Sequence, residues 1–272
     1  MRAVTSPLGF DRASAHPAAS AAPQRVALAR IFLLESYSEF LRLLRAPAFA
    51  VPTLAFPLMF YVLFGVLLGS PHASAESARR ALASFVVLGT MAPGLFALGI
   101  ALAIDRERGL LDLKRALPMP RGLYLAAKLS MSMLFAAIVS ILLMTIAAAA
   151  AGVVLALAQW CLLFVLAVLG VLPFCAIGLL IGALAKASAA PAIANLIYLP
   201  MSFLSGLWVP LQFLPHALAA LAPLWPSWHL VQLAFAIVGA GDTAGAPGHL
   251  LVLGGVAVAC AAAARRALSR PR

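Results

Sequence analysis

From Leu129 to Ala185 the chain carries no charged residue. A helix rises about 1.5 Å per residue, so this run as one helix would extend roughly 85 Å. A bilayer core is about 30 Å thick, and about 20 apolar residues cross it. The run must therefore fold back as two membrane spans. The turn is best placed near Gly152 to Trp160, because Gln159 and Trp160 suit a membrane interface. Composition agrees: 64% of the residues are hydrophobic and 10% charged, where a soluble domain would have about a quarter charged.

Residues 47–69, 82–104, 129–151, 160–185, 188–208 and 248–266 are each long and apolar enough to count as spans. The expected fold is an all-α integral membrane protein with six transmembrane helices in residues 46–268. Charge placement tests the count. With both termini in the cytoplasm, the inner segments hold 17 of the 19 Lys and Arg, and the outer segments hold only Arg79 and Arg80. That is a strong positive-inside pattern, and it assigns residues 1–25 and 269–272 to cytoplasmic tails. Residues 1–25 lack the continuous apolar run of a signal peptide.

Two segments depart from a plain span count. Residues 26–45 form an amphipathic stretch, with Leu33, Tyr37, Phe40, Leu41 and Leu44 on one side and Glu35, Ser38, Glu39 and Arg42 on the other. Followed at once by Pro47, this reads as a helix lying in the inner interface. Val209 to Pro247 is almost uncharged yet broken by Pro210, Pro215, Pro223 and Pro226. An outer re-entrant helical hairpin between spans five and six fits it, with Trp208, Trp225 and Trp228 at headgroup depth. An apolar outer loop lying on lipid is the alternative.

The sequence offers no catalytic constellation. It has no phosphate-binding G-x-x-x-x-G-K-[ST] loop, no H-E-x-x-H and no G-x-S-x-G. Cys161, Cys175 and Cys260 read as small buried hydrophobes. His72, His216, His229 and His249 fall on the outer side, scattered and unpaired, and read as interface residues. The excess of basic residues is explained by topology, and no nucleic-acid motif accompanies it. Between their ends the spans carry no Asp, Glu, Lys or Arg. Coupled carriers usually hold an ionisable group at membrane depth, so the energy for any transport has to come from elsewhere. Asn195 must satisfy its amide inside hydrocarbon, against a neighbouring helix or a wet cavity. Pro93, Pro173, Pro191 and Pro200 each permit a kink.

The segment from Asp105 to Lys128 is where charge concentrates between long apolar runs. Leu110, Leu111, Leu113 and Leu117 can line one side of a short helix while Arg106, Glu107, Lys114 and Arg115 stay solvated. Pro118 and Pro120 then end it. Topology needs only positive charge, so the acids Glu107 and Asp112 mixed in here suggest a handle for a soluble partner.

These residues carry a resemblance. D-R-E-R-G-L-L-D-L-K-R-A-L-P-M-P-R-G-L-Y-L-A-A-K, residues 105–128, resembles the segment after the second span of type-two ATP-binding-cassette exporter permeases. L-S-G-L-W-V-P-L-Q-F-L-P, residues 204–215, is similar to the end of the fifth span and the outer hairpin of that family, and I-G-A-L-A-K, residues 181–186, also fits. Leu110 stands where the family often has Thr, and no Arg follows near Ala234. The resemblance implies a bacterial inner-membrane permease subunit that dimerises, as a homo- or heterodimer, and docks separate cytoplasmic ATPase subunits. ATP and Mg would be bound by those partners, with no cofactor or metal on this chain. It further implies that Arg106, Glu107, Arg108, Gly109, Leu113, Lys114 and Arg115 couple to the ATPase, and that Thr90, Met91, Asn195, Tyr198 and Ser202 are pathway candidates. The expected cargo is amphipathic or lipid-like, such as a drug or antibiotic, because an ion path needs more fixed polar groups. Polysaccharide or glycolipid export within the same family, a stand-alone carrier or channel, and a non-transporting scaffold are the alternatives.

Overall fold

The structure is a computed structural model, and it describes residues 22–68, 74–110, 113 and 122–269. Every regular element among them is helical. Helix α1 (Ala22–Leu44) is followed by α2 (Pro47–Phe60), which opens on a proline whose missing N–H is unused in a first turn. Pro52 and Pro57 then remove ladder donors inside α2, and the helix widens into a π-helical segment, Tyr61–Leu67. Helix α3 (Ala75–Ala92) is capped by Ser74, whose hydroxyl accepts the Ser77 N–H at 3.2 Å. At Pro93, which has no N–H to donate, it too widens into a π segment (Pro93–Leu98) before continuing as α4 (Gly99–Glu107).

Helix α5 (Leu123–Ala149) and α6 (Leu157–Leu169) are joined by the predicted turn, where Gly152 takes φ +61°. Gln159 fastens that turn: its side-chain oxygen accepts the Ala156 N–H at 3.0 Å, and its amide nitrogen donates to the Ile237 carbonyl at 2.9 Å. After Gly170 the chain continues as α7 (Val171–Leu184), then α8 (Ala190–Leu204). The proline-broken region holds short pieces, including α9 (His216–Ala219), and one longer helix, α10 (Pro226–Ile237). Helix α11 (Ala246–Ser269) ends the described chain.

Among the described residues, four helical stretches are long and apolar enough to cross a membrane: Ala75–Glu107, Leu123–Ala149, Leu157–Leu184 and Ala246–Ser269. The other two expected spans correspond to shorter apolar helices, Val51–Leu67 and Ala190–Leu204. Proline and the π segment shorten the first, and the turn at Gly206 (φ +77°) stops the second.

The stretch from α3 to α4 is the centre of the fold, 89% buried in its most apolar window, whereas α11 is 6% buried and lies outermost. The centre packs on α7 at backbone distance. A Cβ on Gly178 would fall 2.6 Å from the Gly94 carbonyl oxygen, and one on Gly182 would fall 2.7 Å from that of Gly99. Small residues on both sides let two helices meet this closely in an apolar core.

Three sequence expectations are corrected. Helix α1 buries Ser36, Glu39 and Leu43 and exposes Leu33, Leu34 and Tyr37, so Glu39 faces the fold and not solvent. A partner for its charge lies across on α5, as described below. Of the cysteines only Cys175 is buried; Cys161 is exposed and Cys260 half-buried, because α6 and α11 turn those faces outward. His229 and His249 are not isolated: their Nδ1 atoms lie 2.8 Å apart, where α10 packs on α11.

Candidate functional site

At the end of the second span the chain places Asp105, Arg106 and Glu107 on successive positions of α4, about 100° apart around the helix. Each grips a different part of the molecule. Asp105 is 2% exposed and accepts from Lys128 Nζ at 3.1 Å, from Arg42 at 3.1 Å and from the Tyr124 hydroxyl. Lys128 also donates to Glu39 at 2.9 Å, and Arg42 pairs with Glu39 at 3.3 Å. Two carboxylates thus meet two cations, and the cluster joins α1, α4 and α5 with no net charge. Burial disfavours the Arg42 guanidinium, but Glu39 and Asp105 outweigh burial and hold it charged, above its ordinary range.

The local sequence explains this placement. Tyr124 and Lys128 are four residues apart on α5, so they share one face, and the ammonium sits 4.8 Å from the Tyr124 ring centre. Ser36, Glu39, Phe40 and Leu43 form the matching stripe on α1, and Phe40 packs on Phe135 of α5 with ring centroids 5.8 Å apart.

The Arg106 guanidinium donates to the carbonyls of Ala183 and Ala185, the latter at 2.6 Å. These belong to the end of α7, where carbonyls have no partner within the helix and the dipole is negative. Glu107 accepts the Ala187 N–H at 2.8 Å, in the turn that leads into α8. Beyond this point Arg108 and Glu107 are exposed, and Gly109 takes φ +70° with open space around it. Leu113 is 61% exposed.

Comparison with known proteins fixes what this arrangement belongs to. Residues 32–238, which run from α1 through α10, match the family described as ABC-2 type transporter. The chain belongs to that family. It is also similar to "Putative transport permease YvfS" of Bacillus subtilis (strain 168), 28% identical over 214 residues, which is 76% of this chain and 85% of that protein. An ABC-2 type transporter chain is a membrane transport subunit, which agrees with the apolar helices and with a sequence that holds no phosphate-binding loop.

The coupling candidates of this ABC-2 chain divide in two. Arg106 points back into the fold, contrary to the expectation that it stays solvated, because the unsatisfied carbonyls at the end of α7 lie beside it; Glu107 stays exposed while its carboxylate accepts from the connection to α8. Arg108, Gly109 and Leu113 face outward. Lys114 and Arg115, like Leu111, Asp112 and Leu117, lie outside the described residues.

The pathway candidates sit in different surroundings. Thr90, Met91 and Ser202 are fully buried, with the Thr90 and Ser202 hydroxyls donating to Val86 and Leu199 carbonyls on their own helices, each at 2.9 Å. Tyr198 packs edge-on against Phe96 of the second π segment, centroids 5.4 Å apart. Asn195 lies on the exposed side of α8 with Leu196 and Leu199, donating to the Pro191 carbonyl of its own helix at 3.1 Å. A groove of about 730 Å³ opens elsewhere, between α5 and α6, lined by apolar residues that include Met144, Trp160 and Phe164.

Sequence reasoning missed the ionic cluster. Glu39, Arg42, Asp105, Tyr124 and Lys128 carried a readable signal all the same. Asp105 is the first charge after the second span, and Lys128 the last before the uncharged run. Charges set at the two lips of a hairpin of spans meet when the hairpin closes.

Proposed function

We propose that this chain is the membrane-spanning half of an ATP-driven exporter that moves an amphipathic or lipid-like compound outward. It crosses the bacterial inner membrane six times with both termini in the cytoplasm, pairs with a second permease chain, and takes its energy from a separate ATPase subunit. The observation that carries this reading is the family match over residues 32–238 on a chain whose exposed Arg108, Gly109 and Leu113 project past a braced helix end. The excess of basic residues on one side supports the orientation. The shorter apolar helices Val51–Leu67 and Ala190–Leu204 are the segments that would make the remaining two crossings. The exposed stripe of α8 around Asn195 supports a second chain, because an amide facing lipid lacks partners that a neighbouring helix would supply.

The test is to purify the detergent-solubilised protein from its native membrane and identify what accompanies it. A soluble subunit with a phosphate-binding loop, in stoichiometric amount, is the expected result. A chain that comes out alone and moves solute in liposomes without ATP would establish a stand-alone carrier instead.

A further inference from the structure

We infer that Arg106 and Glu107 are positioning residues that lock the end of the second span to the connection between α7 and α8, and that neither recognises the ATPase subunit. This rests on the proposed function, since it concerns how a pull on the cytoplasmic loop reaches the rest of the membrane domain. The two side chains are adjacent in sequence and diverge around α4, so they reach the start and the middle of one short connection, Ala185 to Ala189. Arg106 meets the negative end of α7 and its last carbonyls. Glu107 meets a backbone N–H ahead of α8, where the helix dipole is positive. Charge complements dipole at both contacts.

The consequence is mechanical. A shift of α4 relative to this connection must break charge-assisted hydrogen bonds, which are among the stronger contacts of their kind. The glycine contacts of Gly99 with Gly178 and Gly182 leave no slack behind them. Gly109, two residues past Glu107, takes φ +70° with open space around it, so the contacts of Arg106 and Glu107 lie between that turn and the rest of α4. Movement entering there is delivered to α7 and α8 together, and α8 carries the exposed stripe of Leu196 and Leu199.

A substitution separates this role from partner recognition. A backbone N–H needs only an acceptor, so Glu107→Gln preserves the contact, whereas Glu107→Ala removes it. A salt bridge to a cation on the ATPase subunit would need the carboxylate charge and would be lost in both. Each variant is made on a background with Cys161, Cys175 and Cys260 replaced, and purified with its ATPase subunit into nanodiscs. A single cysteine at Leu196, 74% exposed, carries an environment-sensitive fluorophore, read with and without ATP plus vanadate.

The expected result is a nucleotide-dependent emission shift in the parent, rescued by Gln and reduced at least fivefold by Ala, with the ATPase subunit retained in all three. If Gln behaves as Ala does, or Ala as the parent does, the inference is overturned. Hydrogen exchange of the Ala187 amide in the purified chain alone keeps the clamp testable if no ATPase subunit is found. Exchange should quicken about tenfold in Glu107→Ala and stay slow in Glu107→Gln. Unchanged exchange in Glu107→Ala would overturn the clamp, while an absent ATPase subunit would count only against the proposed function.

Discussion

The two ends of the helical bundle are fastened by different physics. At the Asp105 end, helices are tied by full charges: buried Glu39, Asp105 and Lys128 with the more exposed Arg42 in one cluster, Arg106 and the exposed Glu107 against the connection between α7 and α8. At the opposite end, the Arg80 guanidinium over the Phe235 ring apart, helices are tied through neutral groups. Ser205 and Ser227 share a hydrogen bond, the His229 Nε2–H donates to the Pro223 carbonyl at 2.9 Å, and His249 meets His229 through Nδ1. Since Pro223 offers only an acceptor, neutral His229 carries its proton on Nε2, and His249 must donate from its own Nδ1. Directional charged contacts resist displacement and tie elements into one piece. Neutral contacts over apolar packing let elements settle against one another at smaller cost. The comparison teaches that the Asp105 end is built to be pulled.

The strongest way to break that comparison is at Lys128, which is 4% exposed and faces two carboxylates. Lys128→Met leaves Asp105 and Glu39 buried with only Arg42 to balance them. Removing one member of a buried ion cluster costs about 3–5 kcal/mol, so a large drop in the thermal unfolding midpoint of the detergent-solubilised protein is expected. Adding Glu39→Gln to this variant should recover part of the loss, because one orphaned charge is gone. A Lys128→Met protein as stable as the parent would show that the cluster holds nothing together.

The apolar framework was legible because hydrocarbon thickness dictates it. The turn near Gly152, the long helices and the amphipathic character of α1 could all be read from residue spacing. What could not be read was the direction α1 faces. Amphipathicity gives two sides, and the usual assumption sends the apolar one inward. Here the inward stripe is mixed, with Glu39 drawn in by Lys128 between Ser36, Phe40 and Leu43, while Leu33, Leu34 and Tyr37 face out. The hydroxyls among the pathway candidates show a related limit. Thr90 and Ser202 are hydroxyls that satisfy themselves on their own helix, so their polarity implied no cavity. The π segment at Pro93 was half legible: the proline announced a lost donor, but whether the helix would kink or widen depended on the glycine contacts with α7.

A smaller effect is expected at the neutral end. His229 is 8% exposed and makes both of its ring hydrogen bonds there. Replacing it with leucine keeps most of the packing and loses those bonds, at about 1–2 kcal/mol. The same thermal assay should therefore rank His229→Leu well below Lys128→Met, and a reversed order would contradict the division between the two ends.

The smallest effect sharpens the comparison most, because it sets like against like. Arg42 and Arg80 are nearly equally exposed, 44% and 46%, and each pairs with a glutamate on its own helix: Arg42 with Glu39 and Arg80 with Glu76. The two guanidinium groups are thus matched in exposure, although Glu39 is buried at 6% and Glu76 is 59% exposed. They differ in what lies beyond. Arg80 adds a ring contact with Phe235 at 5.0 Å, whereas Arg42 reaches across to the buried carboxylate of Asp105. An exposed helix pair with a cation–π contact contributes at most about 1 kcal/mol, and high salt should weaken the pair. Arg42→Ala should cost roughly 1.5 kcal/mol, after allowing for its exposure, since Asp105 loses a charged donor inside the fold. Measured side by side at low and high salt, Arg80→Ala should shrink toward zero while Arg42→Ala persists. Equal responses would mean that Asp105 gains nothing from Arg42, and that the tie between α1 and α4 runs through Lys128 alone.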